Sequence, residues 1–205
     1  IPGDDGGSPR RLVVDGRTDE GDEVGVQAIG ITPGLFAVLD VPIVEGRTFT
    51  GQEAVDPEAG VALINQALAS RLWPGESPLD RRVGFRGERG VTWFRVVGTV
   101  PDVHYEEVGE GTAESRLNIY LPYSVEGSRS MALLVRADGR PEELLAPARE
   151  ALQGLSAAFT VYRLMPMSEL RRFTTWEQEF FGDLMGSFAA MALLLACLGV
   201  YALIS

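Results

Sequence analysis

Residues 61–75 read Val61-Ala62-Leu63-Ile64-Asn65-Gln66-Ala67-Leu68-Ala69-Ser70-Arg71-Leu72-Trp73-Pro74-Gly75. Four apolar residues in a row predict a central strand. Asn65 then stands at a natural helix N-cap. Ala67, Leu68, Arg71 and Leu72 fall at helical spacing. Pro74 stops the helix, because proline disfavours helical backbone in the residue before it. Taken as a whole, the chain reads as a membrane-tethered domain of the α+β class.

Working outward, residues 1–10 read as a lead-in rich in glycine and aspartate. Leu12-Val13-Val14 predicts a short strand that ends at the turn pair Asp15-Gly16. An acidic loop follows, then a β-rich strand from Val24 to Thr32. Thr32 is placed to cap a helix with Pro33 at its first position and Leu35, Phe36, Val38 and Leu39 on its buried face. Val41-Pro42 ends it. Gly46 to Thr50 reads as a turn into a polar loop.

Downstream, Arg82–Phe85 and Trp93–Val100 predict a hairpin around Gly87-Glu88-Arg89-Gly90. Leu117–Leu121 is another strand, closed by Pro122. A β-α-β rhythm follows: strand Ala132–Arg136, turn Asp138–Pro141, helix Glu142–Leu155, strand Thr160–Leu164. Pro147 predicts a kink in that helix or a late start near Ala146. Ser168 is placed to cap a last helix. Trp73, Trp93 and Phe94 read as core residues rather than a ligand platform.

Residues 184–205, from Leu184 to Ser205, carry no charge and no proline. As a helix they rise about 33 Å, close to the thickness of a bilayer core. This predicts a transmembrane helix; a buried helix in a soluble core is the other reading. Trp176, Phe180 and Phe181 fit an aromatic belt at the membrane interface. Gly182, Gly186, Ser187 and Ala190 are small-residue candidates for close helix packing. The chain begins at Ile1, and its apolar run is barely complete at Ser205, so it reads as an excerpt of a longer membrane protein.

Composition excludes several functions. The net charge is −11, and a phosphate backbone is held by a basic surface, so nucleic acid is not an expected partner. All 18 basic residues are arginine. A P-loop needs its lysine, so no such ATPase site is expected here. The single cysteine, Cys197, lies in the apolar run, which leaves no cysteine for a disulfide or a thiolate metal site before it. His104 is the only histidine, with Asp102 and Glu106 near in sequence, but neighbouring residues often point apart, and no catalytic role is assigned. Glu106, Glu107 and Glu110 lack the spaced oxygen ligands of a Ca²⁺ loop and read as a solvated face. No metal, cofactor or catalytic residue is expected.

Five blocks resemble one family in the same order. Ile31 to Phe36 with Val41 to Phe49 resembles the opening block of MacB-like periplasmic domains. Val61–Asn65 with Ala67–Leu79, then Val96–Val103, then Ile119–Tyr123 resemble their next three. Phe188–Ser205 is similar to the end of the second transmembrane helix of FtsX-like permeases. The resemblance covers most of residues 24–205. Asp80 departs from it, standing where the family usually has glycine, and so does Pro101.

The resemblance implies a MacB-like extracytoplasmic domain: a porter-like β-α-β unit with an inserted smaller mixed α/β subdomain, followed by the transmembrane helix. The implied divisions are a truncated lead-in at 1–23, the inserted subdomain at 24–125, the porter-like unit at 126–172, a stalk helix at 173–183 and the membrane helix at 184–205. It also implies an ABC-transporter permease in the bacterial cytoplasmic membrane, with residues 1–183 on the periplasmic side. Implied partners are an ABC ATPase that binds the ATP, a second permease copy or duplicated module, and membrane lipid. The permease would couple ATP hydrolysis to export or envelope remodelling by mechanotransmission. The alternative is a membrane-anchored sensor or scaffold that binds an envelope protein without transport.

Overall fold

The computed structural model describes residues 8–17, 23–87, 90–102, 117–126, 131–137, 139–155 and 164–166, and six positions between 185 and 192. The chain divides into two compact units, one of residues 1–105 and 109–136, the other of 106–108 and 137–205.

The first unit is a mixed sheet with short helices. Its elements are β1 (Ser8–Val14), β2 (Val24–Ile31), α1 (Leu35–Val38), β3 (Glu45–Gly46), α2 (Gly51–Val55), β4 (Val61–Asn65), α3 (Gln66–Leu72), β5 (Arg82–Gly87), β6 (Gly90–Val100), β7 (Asn118–Pro122) and α4 (Tyr123–Glu126). The pairing order is β3-β6-β4-β7-β2-β1-β5, and β5 also pairs with β6. Six strands therefore close into a ring, with β3 added beside β6. β4–β6 and β2–β7 are parallel, while β1–β2, β1–β5, β4–β7 and β5–β6 are antiparallel.

Side chains alternate across a strand, so a closed sheet has an inside and an outside. Each ring strand sends two apolar residues to one buried cluster: Leu12 and Val14, Val26 and Ala28, Ala62 and Ile64, Val83 and Phe85, Phe94 and Val96, Ile119 and Leu121. Leu68, Leu72 and Trp73 of α3 and its C-terminus join them. A second cluster lies on the other face, where Ile29, Ile31, Val61, Leu63, Val97, Val100 and Tyr120 meet Phe36 and Phe49. Both faces of β4 are thus buried, which accounts for its unbroken apolar run.

The expected strand Val61–Ile64, the Asn65 cap, the helix to Leu72 and the 82–100 hairpin all form. Other expectations need correction. β1 begins at Ser8, inside the supposed lead-in, and pairs with both β2 and β5. Arg10 lies 5.3 Å from the centre of the Phe85 ring and pairs with Glu126 at 3.1 Å, which ties β1 to α4. Thr32 does not cap α1. Gly34 occupies that position without a side-chain bond, and the Leu35 N–H donates to the Thr32 carbonyl, making a turn. Pro122 belongs to β7, opposite Ile31.

α1 ends in a Schellman motif, with Val41 N–H donating to Phe36 O and Asp40 N–H to Ala37 O. Asp40 takes the left-handed conformation there, φ 59°. Arg136 bonds its carboxylate at 2.9 Å and holds its pKa below the ordinary carboxylate value.

Residues 46–50 hold more than a turn. Glu45–Gly46 pairs with Gly98–Thr99, and Thr50 opens α2 with a reciprocal capping box to Glu53. Arg47 adds a two-pronged ion pair to Glu53 at 2.8 Å. That guanidinium, helped by the Thr50 bonds, pulls the Glu53 carboxyl down to about 2. A depressed carboxyl stabilises the fold above its unfolded pKa of about 4.3 and loses that contribution as pH falls towards 2. Glu53→Gln should therefore cost about 1 kcal/mol at pH 7, the scale of a lost cap and a surface pair. The gap from the wild type should close between about pH 4 and 2 in urea titrations.

In the second unit, Pro141–Leu144 is a 3-10 turn and α5 runs Leu145–Leu155. The late helix start expected from Pro147 is thus observed. Residues 131–137, which include the expected strand Ala132–Arg136, form no ladder with any described strand. Residues 160–163 and Ser168 lie outside the described residues.

Candidate functional site

The strongest polar constellation sits where β4 and β6 end and β7 begins. Asn65 closes β4 and is 1% exposed. Its side-chain oxygen accepts from Leu68 N–H at 3.2 Å, capping α3, and from Asn118 N–H at 3.0 Å, fixing the start of β7. Its amide nitrogen donates to Asp102 at 2.8 Å, and the same Asp102 oxygen accepts from Ala67 N–H at 2.8 Å. One side chain thus ties together a strand end, a helix start and two chain crossings. Asp102, weighed above as a neighbour of His104, is engaged in this knot. His104 itself, with Glu106, Glu107 and Glu110, lies outside the described residues.

A second polar region borders β3. A shallow cleft of about 190 Å³ is lined by Arg47, Leu79, Asp80, Arg95, Val96 and Val97. Arg95 pairs with Asp80 at 3.0 Å and Arg81 with Glu76 at 2.6 Å. Arg81 N–H bonds Pro78 O, closing a turn whose third residue is Asp80 at φ 60°. That conformation favours glycine, so an aspartate here is costly. The Arg95 contact offsets part of that cost. Asp80→Gly should stay within about 0.5 kcal/mol of the wild type, since relieved strain and the lost ion pair oppose each other. Asp80→Val should cost about 2 kcal/mol, because a branched side chain is a true outlier at positive φ. Urea midpoints for the two variants check this.

Trp73 and Phe94 are buried as expected. Trp93 is not a core residue. It pairs with Gly84 on the outer face of the hairpin, where the Arg82 guanidinium lies 5.4 Å from the centre of its ring. A Cβ at Gly84 would come within 2.9 Å of that ring. Consecutive residues in a strand face opposite ways, so Trp93 and Phe94 cannot both reach the interior.

Among the described residues no cluster of three or more His, Cys, Asp or Glu side chains is placed to hold a metal ion. Of the helix-packing candidates, Gly186 is in a helix, exposed, with open space where a Cβ would be. Gly182, Ser187 and Ala190 lie outside the described residues, as do Trp176, Phe180 and Phe181. Met185, Phe188 and Met191 expose 62%, 57% and 60% of their surface. No helix among the described residues is long and apolar enough to cross a membrane, and most of 184–205 is not among them.

Comparison with known proteins places this architecture. The family model of the MacB-like periplasmic core domain matches residues 5–155. The macrolide export ATP-binding/permease protein MacB of Mannheimia succiniciproducens is 35% identical over 95 residues, covering 46% of this chain and 13% of that protein. Its namesake in Marinobacter nauticus is 26% identical over 174 residues, covering 78% of this chain and 24% of that protein. The chain thus spans under a quarter of the length of these curated relatives. The crystal structure of the periplasmic region of MacB from Actinobacillus actinomycetemcomitans superposes with a TM-score of 0.52 at 22% identity, covering 72% of this chain and 63% of that one. With its mixed sheet, its short helices and a match across residues 5–155, the chain belongs to the MacB-like periplasmic core domain family.

Proposed function

We propose that this chain is the extracytoplasmic body of an ABC-transporter permease, carried on a membrane helix at 184–205 through a stalk at 173–183. The body moves when a partner ATPase hydrolyses ATP, and that motion drives export or envelope remodelling. In this reading the chain performs no chemistry of its own. Its partners are the ATPase, a second permease copy or duplicated module, and lipid around the apolar helix.

The observation that carries the reading is the family match over residues 5–155. Two features support it. The relatives with similar sequence are named as macrolide export ATP-binding/permease proteins. The six described positions of the apolar run are helical and exposed, and an all-apolar helix is stable only when protein or lipid covers it.

The test uses the full-length protein with its ATPase in proteoliposomes. A cysteine at Thr92, on the exposed surface, should react with an impermeant maleimide only from the periplasmic side. Spin labels there and on the stalk should change separation between the ATP-bound and post-hydrolysis states. Labelling from the cytoplasmic side would sink the topology, and an unchanged separation during active hydrolysis would sink the coupling.

A further inference from the structure

The outer face of the β5–β6 hairpin gathers three arginines around a tryptophan. The register sets Arg82 opposite Arg95, Gly84 opposite Trp93 and Arg86 opposite Val91, so these six side-chain positions share one face. The ring is already filled from the other face by Val83, Phe85 and Phe94. Trp93 belongs to neither buried cluster. Like charges directly opposite across a ladder are unfavourable, yet Arg82 and Arg95 stand so. The three arginines cluster here in a chain whose net charge is −11.

We propose that this face docks an acidic, extended segment of a partner protein, with its carboxylates on the three guanidiniums and an apolar side chain taking the place of the Arg82 guanidinium over the Trp93 ring. Those guanidiniums already bind carboxylates. Arg82 holds Asp15 at 3.6 Å, Arg86 holds Glu23 at 3.2 Å and Arg95 holds Asp80 at 3.0 Å. Each takes a different carboxylate. A phosphate site would converge them on one anion. The Asp15 and Asp80 side chains are 51% and 79% exposed, and exposed pairs are weak enough to exchange for a partner's carboxylates; Glu23 is 16% exposed and stays on Arg86, whose own side chain is 52% exposed and has donors left for a second carboxylate. Arg82 and Arg86 lie four strand residues apart, about 13 Å, which matches acidic residues spaced along an extended segment. Tryptophan flanked by arginine is also the composition that dominates protein interfaces. Gly84, itself buried, lets the Trp93 ring lie close against β5, since a Cβ there would meet Val91 and Trp93.

The test is fluorescence anisotropy of a labelled peptide of alternating glutamate and leucine, added to the full chain in a neutral detergent at low salt. Binding should weaken at least about tenfold in Arg82→Ser/Arg95→Ser, the loss of two charge-assisted contacts, and also in Trp93→Ala. Arg71→Ser, on α3, should bind like the wild type. Asp80→Asn should bind about two- to fivefold tighter, because it removes the internal competitor for Arg95. No binding to the wild type, or equal binding to the double variant, overturns the proposal. So does retention of polyphosphate or anionic vesicles by this face when the peptide is not retained. Unchanged thermal unfolding of each variant separates lost docking from lost fold.

Discussion

Gly98→Ala should be among the most damaging single-methyl changes in the chain, costing about 3 kcal/mol, the upper end of ordinary overpacking. β6 carries an irregularity here. Ala62 of β4 pairs with Val96, but Leu63 pairs with Gly98, so Val97 is passed over. The bulge brings β6 against β3, and Gly98 faces Gly46 across the ladder. A Cβ at Gly98 would lie 2.4 Å from Arg47 O, 3.0 Å from Arg47 N and 3.1 Å from Glu45 O. These are backbone atoms held by Arg47 N–H to Val97 O and Val44 N–H to Thr99 O, so they cannot swing aside as a side-chain tip would. Gly46 is constrained twice, by φ 78° and by Val97 O at 2.3 Å from its would-be Cβ. Gly46→Ala should do similar harm. The double variant should cost less than the sum, because the first clash already separates β3 from β6. Urea unfolding of the three variants measures this. Independent, additive losses would show that the two glycines are not opposed.

Asn65→Leu should cost about 2–4 kcal/mol. It leaves the N–H groups of Leu68 and Asn118 without their acceptor in a buried place, and each such group costs about 1–3 kcal/mol. It also takes from Asp102 a donor at 2.8 Å. Asn65→Asp separates these roles. The acceptor survives, but a second carboxylate now faces Asp102, and neighbouring carboxylates resist ionising together. That variant should be poorer than the wild type at pH 7 and recover part of the difference near pH 4, where the pair can share a proton. A pH-independent deficit would show that the contact with Asp102 is incidental. Hydrogen exchange at the Leu68 and Asn118 amides should rise in Asn65→Leu ahead of exchange in the rest of β4.

Residues 61–75 were legible because each decision there is local: an apolar run, a capping side chain, a proline stop. The second and third duties of Asn65 were not. Its bonds to Asn118 and Asp102 join segments far apart in the chain, and no spacing rule reaches across such a gap. α2 was overlooked although Thr50 and Glu53 carry the capping-box spacing. At five residues with none buried, it shows no apolar stripe to draw attention. Trp93 was misplaced by treating two adjacent aromatics alike, when strand alternation allows only one of them inside. β1 was cut short because Ser8, Pro9 and Arg10 are polar or helix-breaking. Their place is set by pairing with β2 and β5, not by their own composition. The left-handed turn at Asp80 could be anticipated only as a departure from the family's glycine, and the backbone angle gives that departure its physical meaning.

Ring closure changes what the chain's first strand is worth. In an open sheet, an edge strand can be trimmed and one new edge appears. β1 lies between β2 and β5, so a protein shortened to begin at Val24 would expose two free edges at once, beside an apolar interior opened to water. Unpaired edges of that kind recruit strands from other molecules. The polar stretch that looks most dispensable is therefore the seam that keeps the barrel from seeding its own aggregation.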